Sequence, residues 1–516
     1  NAVGIEGAEA SESHAGFDFL TNWDKKGNYL RDQLTDAAKN VVGYPLTKVN
    51  KAFGDSRVVK NWNFGEYQPI QPANDDASQA SFNATAAASV AWNKVNSETA
   101  AIISGGDLKL RKQASGDEAG SLLNTATDDV FSGAWSGAAA VNWFNGAAGA
   151  ASNSNAKKGA LGAALAVNHL NRATDALILS SDISQAGAIK NMAIRNGAEA
   201  AAALGLAVTN DSRGTSTDAS VAFGLAMNKS NNDAHAILID SSSSYKDKVK
   251  KDESKGDTAD NTLSYSGGTT VETSAYDGDI QVAGGVDLAW VKTDQAGVGI
   301  AAGITAAVGE IKNDIQSGIQ GGSYTGVRDM KAAGEDALTQ VNAAVGLGFS
   351  RSEKGVAGAG SVTYTELANN SRSYITGTET IQASGEVSVT SRDISGKDNV
   401  YKEYLKQRKV DATGLEFLSK DTKDKLGKEA GSAIVNVAVE AAEGKGAAAG
   451  AAISYNNVTN KFSSDIANNK NITAASVKGQ ADVHTNIVSV AAGVSVSESV
   501  FGGAGSLSFN DLDQDN

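Results

Sequence analysis

Residues Gly159–Ser184 read GALGAALAVNHLNRATDALILSSDIS, and residues Ala219–Asp240 read ASVAFGLAMNKSNNDAHAILID. Large and small residues alternate up to an Asn in both. Leu161, Leu165 and Val167 share one parity with Ala163, and Val221, Phe223, Leu225 and Met227 share the matching parity in the second copy. A period of two places alternate side chains on opposite faces of a strand.

With the closing Asn as position zero, the copies align at Asn93, Asn168, Asn228, Asn456 and Asn510. One residue earlier stand Trp92, Val167, Met227, Tyr455 and Phe509. Two earlier stand Ala91, Ala166, Ala226, Ser454 and Ser508. Eight and ten residues on, Ala176 and Ile178 match Ala236 and Leu238. Weaker copies end at Asn142 and near Thr365. The expected unit is strand, polar turn, strand, with Asn at the turn because it tolerates positive φ and bonds local backbone. Similar units separated by inserts of unequal length point to a parallel β-helix. Its expected core is the large parity: Trp92, Leu165, Val167, Phe223, Leu225, Met227, Ile453, Tyr455, Leu507 and Phe509. The small parity (Ala164, Ala166, Gly224, Ala226, Ala452, Ser454) would then form a bare apolar patch, which soluble chains seldom leave open. A second layer is therefore expected over it, either helical insertions or a sheet from other repeats.

Composition agrees with close-packed strands. Among 516 residues there are 56 Gly and 3 Pro, the latter all in the first 72 residues. The net charge of −14 argues against nucleic acid, whose phosphates call for clustered Lys and Arg. There is no Cys, as suits an exported chain but also a cytosolic one. No apolar run is long enough for a membrane-spanning helix, and no signal peptide is recognisable.

The reading along the chain is as follows: 1–75, a helical or irregular insertion, with apolar residues near helical spacing over 15–42; 76–240, repeats; 241–261, a charged loop; 262–397, repeats, within which 326–345 fits a helix or a strand lead-in; 398–443, a second helical insertion; 444–516, repeats, with the last one cut midway. That last repeat leads us to expect a piece of a longer protein. The fold class is thus all-β, a solenoid of irregular Ala/Gly-rich repeats with two helical insertions.

Catalytic, cofactor-binding and metal sites are all read as none. His14, His169, His235 and His484 fall in different units without metal-ligand spacing. Gly297–Gly303 lacks the dinucleotide fingerprint. Asp511, Asp513 and Asp515 alternate, but without the Gly and distal Glu of a calcium loop they read as a polar turn. A carboxylate pair in a groove could cleave polysaccharide, and sequence selects none.

The stretches GALGAALAVNHLNRATDALI, ASVAFGLAMNKSNNDAHAIL and GAAAGAAISYNNVTNKFSSDI resemble the repeats of large bacterial filamentous-haemagglutinin-like exoproteins, in particular leukotoxin-type filamentous adhesins. The resemblance covers roughly 80–240 and 355–516. It implies a right-handed parallel β-helix, secretion through an outer-membrane partner, a secreted or cell-surface location, and adhesion to a host-cell protein or glycan or intoxication of the cell. The expected function is binding without catalysis. The alternatives are a polysaccharide-acting β-helix enzyme and a structural stalk or biofilm-matrix segment.

Overall fold

Alternation of large and small residues persists here for more than twenty residues at a time, and the strands are correspondingly long. The computed structural model describes residues 82–110, 120–144, 157–184, 187–211, 217–240, 264–266, 269–293, 297–393, 432–498 and 501–515. These fall in one unit, Ser78–Asn516. They contain strands and no helix.

The first sheet carries β1 (Phe82–Lys109), β3 (Lys157–Ser184), β5 (Thr217–Ile239), β8 (Val298–Gln320), β11 (Val356–Thr376), β15 (Ala447–Ala467) and β19 (Phe501–Asp515), side by side in that order. The short strands β6 (Ser264–Ser266), β9 (Ser323–Val327), β12 (Thr380–Ala383) and β16 (Ile472–Thr473) extend it. The second sheet carries β2 (Leu122–Phe144), β4 (Ala188–Asp211), β7 (Thr270–Thr293) and β10 (Asp329–Ser350). Beside β10 lie β13 (Glu386–Asp393) and β14 (Ser432–Gly444), then β17 (Ser476–Asp482) and β18 (Thr485–Ser497). Every pairing is parallel. The long strands alternate between the two sheets along the chain, so each pass over a sheet stacks on the previous one.

The repeat alignment is the strand register. Asn93, Asn168, Asn228, Gly309, Thr365, Asn456 and Asn510 are successive ladder partners. Asn142 belongs to the second sheet, opposite Thr209, and is not a copy of this position. The copy at Gly309 escapes the sequence pattern because Gly replaces the marker Asn.

Three expectations are corrected. First, no turn occurs at the Asn: β3 and β5 run through it unbroken. Asn168 and Asn228 point between the sheets, fully buried. The Asn168 amide donates to Asn228 Oδ1 (2.8 Å) and to the Ala200 carbonyl of the facing sheet (2.8 Å). Asn93 donates likewise to Asn168 (3.0 Å). A polar side chain satisfied in this way needs no water and no turn.

Second, the small parity faces inward. Of the ten large residues expected in the core, only Val167 is buried, and Trp92, Phe223, Ile453, Leu507 and Phe509 are exposed. The six small residues are all buried, covered by the second sheet. The sheets approach so closely that a Cβ on Gly346 would stand 2.1 Å from the Gly360 carbonyl oxygen. Gly, Ala, Ser, Thr and Asn fill most of such a gap, and a longer side chain such as Glu440 enters where it faces a glycine, Gly450. Towards the other end the interior widens, and Ile178, Leu238, Tyr265, Ile319, Tyr324, Ile375 and Val389 fill it.

Third, residues 432–443, placed in a helical insertion, form most of β14. Residues 398–431, the proposed insertion 1–75 and the charged loop 241–261 lie outside the described residues. The segment 326–345 is strand.

Candidate functional site

Because small residues take the inside, large ones are left on the outside. In the first sheet the five outward ladder columns ending one residue before position zero contain only Gly, Ala, Val, Leu, Ile, Met, Phe, Tyr and Trp. The last column is Trp92, Val167, Met227, Val308, Tyr364, Tyr455 and Phe509. Within it the rings of Tyr364 and Tyr455 stack at 5.7 Å. Phe223 and Ile304, on interior strands of the sheet, remain 42% and 46% exposed. The next outward column is polar throughout: Lys94, His169, Lys229, Glu310, Glu366, Asn457 and Asp511. The Asp511, Asp513 and Asp515 series lies on β19, a strand and not a turn.

The second sheet mirrors this. Its outward columns Val141–Val208–Trp290–Phe349 and Ala139–Leu206–Leu288–Leu347 are apolar; Phe131, Trp135 and Val141 on β2 are exposed, whereas Leu347 and Phe349 on β10 are buried. The apolar half of the double layer is therefore apolar on both outer surfaces. Monomeric proteins rarely expose patches beyond several hundred Å² without a binding purpose.

The ionisable groups that cluster lie elsewhere. Arg172, Arg195, Glu199, Asp277 and Asp279 sit between the sheets at 0–2% exposure. Arg195 pairs with Asp277, and Arg172 Nη2 lies 3.6 Å from Asp279 Oδ1. Burial, with repulsion from Arg172, lowers Arg195 to about 9. Burial, with repulsion from Asp279, raises Glu199 well above the usual carboxylate range. Gln281 Nε2 donates to Glu199 Oε2 (3.1 Å) and to Ser230 Oγ (2.7 Å). Enclosed in this way, the cluster meets no substrate. Its chemistry is that of a buried charge network, costly to desolvate and kept by mutual pairing. Asp287 and Glu440 are also buried, each raised to about 7 by burial. Asp287 accepts from the Thr305 hydroxyl (2.6 Å) and the Gly205 and Gly224 amides. Neither Glu440 oxygen has a hydrogen-bond partner, and the side chain occupies space that a Cβ on Gly450 would take.

One outward-facing group has catalytic residue types. His235 Nδ1 lies 3.1 Å from Asp175 Oδ1 and its Nε2 lies 3.3 Å from Asp314 Oδ2. Burial lowers the imidazole, but the two carboxylates outweigh it and raise it to about 9. With a carboxylate at each nitrogen, the ring is a held cation and not a general base at neutral pH. Sequence spacing hides this group, since the partners lie 60 and 79 residues away. Register from the position-zero Asn reveals it, because Asp175 and His235 are ladder neighbours. His169 lies in the polar outward column, away from His235. Among the described residues no three His, Cys, Asp or Glu gather as a metal site, and no helix is long and apolar enough to cross a membrane.

No protein-family model matches this chain, and no curated protein or solved structure matches it either.

Proposed function

We propose that the chain is a segment of a secreted or surface-exposed bacterial filamentous adhesin, folded as a right-handed parallel β-solenoid, that acts by binding and not by catalysis. The observation that carries this reading is the apolar half of the double layer, large and aromatic on both outer surfaces. Such surfaces hold a partner by burying area, with aromatic anchors contributing most. The partner is a host-cell surface protein or glycan, and export runs through an outer-membrane partner, as the repeat resemblance implies. The net charge of −14 supports a partner other than nucleic acid. The carboxylates of Glu199, Asp277 and Asp279 lie between the sheets, where no polysaccharide reaches them, and the outward Asp175 and Asp314 are held by His235, which weighs against the enzyme alternative. The test is attachment of the labelled chain to host cells and a glycan array. Saturable attachment that drops at least about tenfold on Trp135→Asp, in the second sheet, is expected. Attachment no better than that of an unrelated β-protein, or release of sugar from a polysaccharide, overturns the reading.

A further inference from the structure

The first sheet's apolar face has a definite height and width. Six spacings of about 4.8 Å across the seven strands and eight of about 3.3 Å across nine residues give roughly 760 Å². That is the area each partner contributes to a stable protein–protein interface. The face contains no charged residue, and the polar column beside it is polarised along the stack. Lys94 and Lys229 lie towards β1, Glu366 and Asp511 lie towards β19, and Glu310 is on the central β8.

We propose that this face docks against the same face of a second copy of the chain, in a two-fold pair whose axis runs along the strands at β8. The inference rests on the reading of the outer faces as binding surfaces and assigns one of them. Such an axis reverses the stacking direction but keeps the polar column over its counterpart. Lys229 then faces the partner's Glu366, and Lys94 faces the partner's Asp511. Glu310 falls on the axis, where each copy's own Lys229, 2.5 Å away, offsets it. A two-fold along the stack would instead carry the polar column beyond the partner's far edge and pair none of these charges. Self-complementary patches of this kind are what two-fold dimers use. The exposed residues of the second sheet on β2, Phe131 and Trp135 among them, remain free for a different partner.

Sedimentation velocity of the chain at low ionic strength tests the pairing. A dimer at micromolar concentration is expected, dispersed to monomer by Ile304→Asp at the patch centre. Lys229→Glu and Glu366→Lys should each weaken association about tenfold or more. The doubly reversed chain should regain most of the affinity. Lys229 and Glu366 are about one-third exposed and paired within the chain with Glu310 and Lys312, so the unfolding midpoint of each variant is measured beside its association, and that separates lost docking from lost fold. A monomeric chain, a double variant no better than the singles, dispersal by Trp135→Asp but not by Ile304→Asp, or flotation of monomer with phosphatidylcholine vesicles each overturns the proposal. Cell attachment measured on the Ile304→Asp chain keeps the two readings distinct. If attachment persists while the parent chain never dimerises, only this inference fails.

Discussion

The end of the double layer that holds Ala166, Ala226, Ala307 and Ala344 and the end that holds Ile178, Leu238, Ile319 and Met330 are made by the same strands. At the first end the sheets nearly touch, and little but Ala, Gly, Ser, Thr and Asn separates them. At the second, branched and aromatic side chains hold them apart. A single strand such as β3 changes from one regime to the other as it passes Asn168. The difference teaches that burial of large side chains is one way to join two sheets, and close approach with satisfied polar ladders is another. The first way inverts the outer surface, since large residues excluded from the gap must face outward.

Gly346→Val should break the narrow end outright. The added Cβ meets a backbone carbonyl that cannot swing aside, so loss of cooperative unfolding in circular dichroism is the expected result. Ile319→Ala in the wide end should instead leave a folded chain, destabilised by about 2–5 kcal/mol in chemical denaturation. If the two substitutions cost the same, the two ends do not differ as described.

Acidity sharpens the comparison further. Asp287 and Glu440 serve the narrow end and titrate near 7 when folded, well above their ordinary range. A raised carboxyl favours the folded state below its unfolded value, so the contribution of these two groups should be complete below about pH 4 and be lost towards pH 7, a fall of a few kcal/mol to which Glu199, raised likewise, adds. Asp287→Asn with Glu440→Gln should flatten that slope. His235 is raised to about 9, so its contribution, complete below about pH 6.5, should be lost as pH rises through about 9. Urea midpoints across pH 4–10 separate the two windows, and His235→Gln should remove only the upper one.

Asn228→Ala should cost roughly 1–3 kcal/mol, because it strands the Asn168 amide and the Val282 carbonyl in a dry gap. The smallest effect is expected at Leu225, which faces outward. Leu225→Ala should cost less than about 1 kcal/mol, where an inward Leu would have cost several times more.

Much of this architecture was legible. The Asn alignment reproduces the ladder register, including Thr365, and the paired Ile178 and Leu238 ten residues on mark the wide core. What alternation does not reveal is which parity faces inward, because period two is unchanged when the faces exchange. The sign was present in the Asn itself, which shares parity with the small residues. A polar residue repeated at one register position reads as a turn until the ladder supplies its partner. The small parity points to a second layer, but the strands that form it are not legible because they carry no such marker, and the His235 group is hidden because its members meet only through register.

The parallel ladders of the first sheet have a consequence for how such a chain comes to be ordered. Equivalent residues on neighbouring strands are separated by 54 to 91 residues wherever they lie along the stack. The reach of a contact is one lap, and lengthening the array does not extend it. Order can therefore spread lap by lap from any nucleus, as in a one-dimensional chain of nearest neighbours. The search each new lap must make is the same size as the last, so the time to fold should grow in proportion to length, with no penalty for remote contacts.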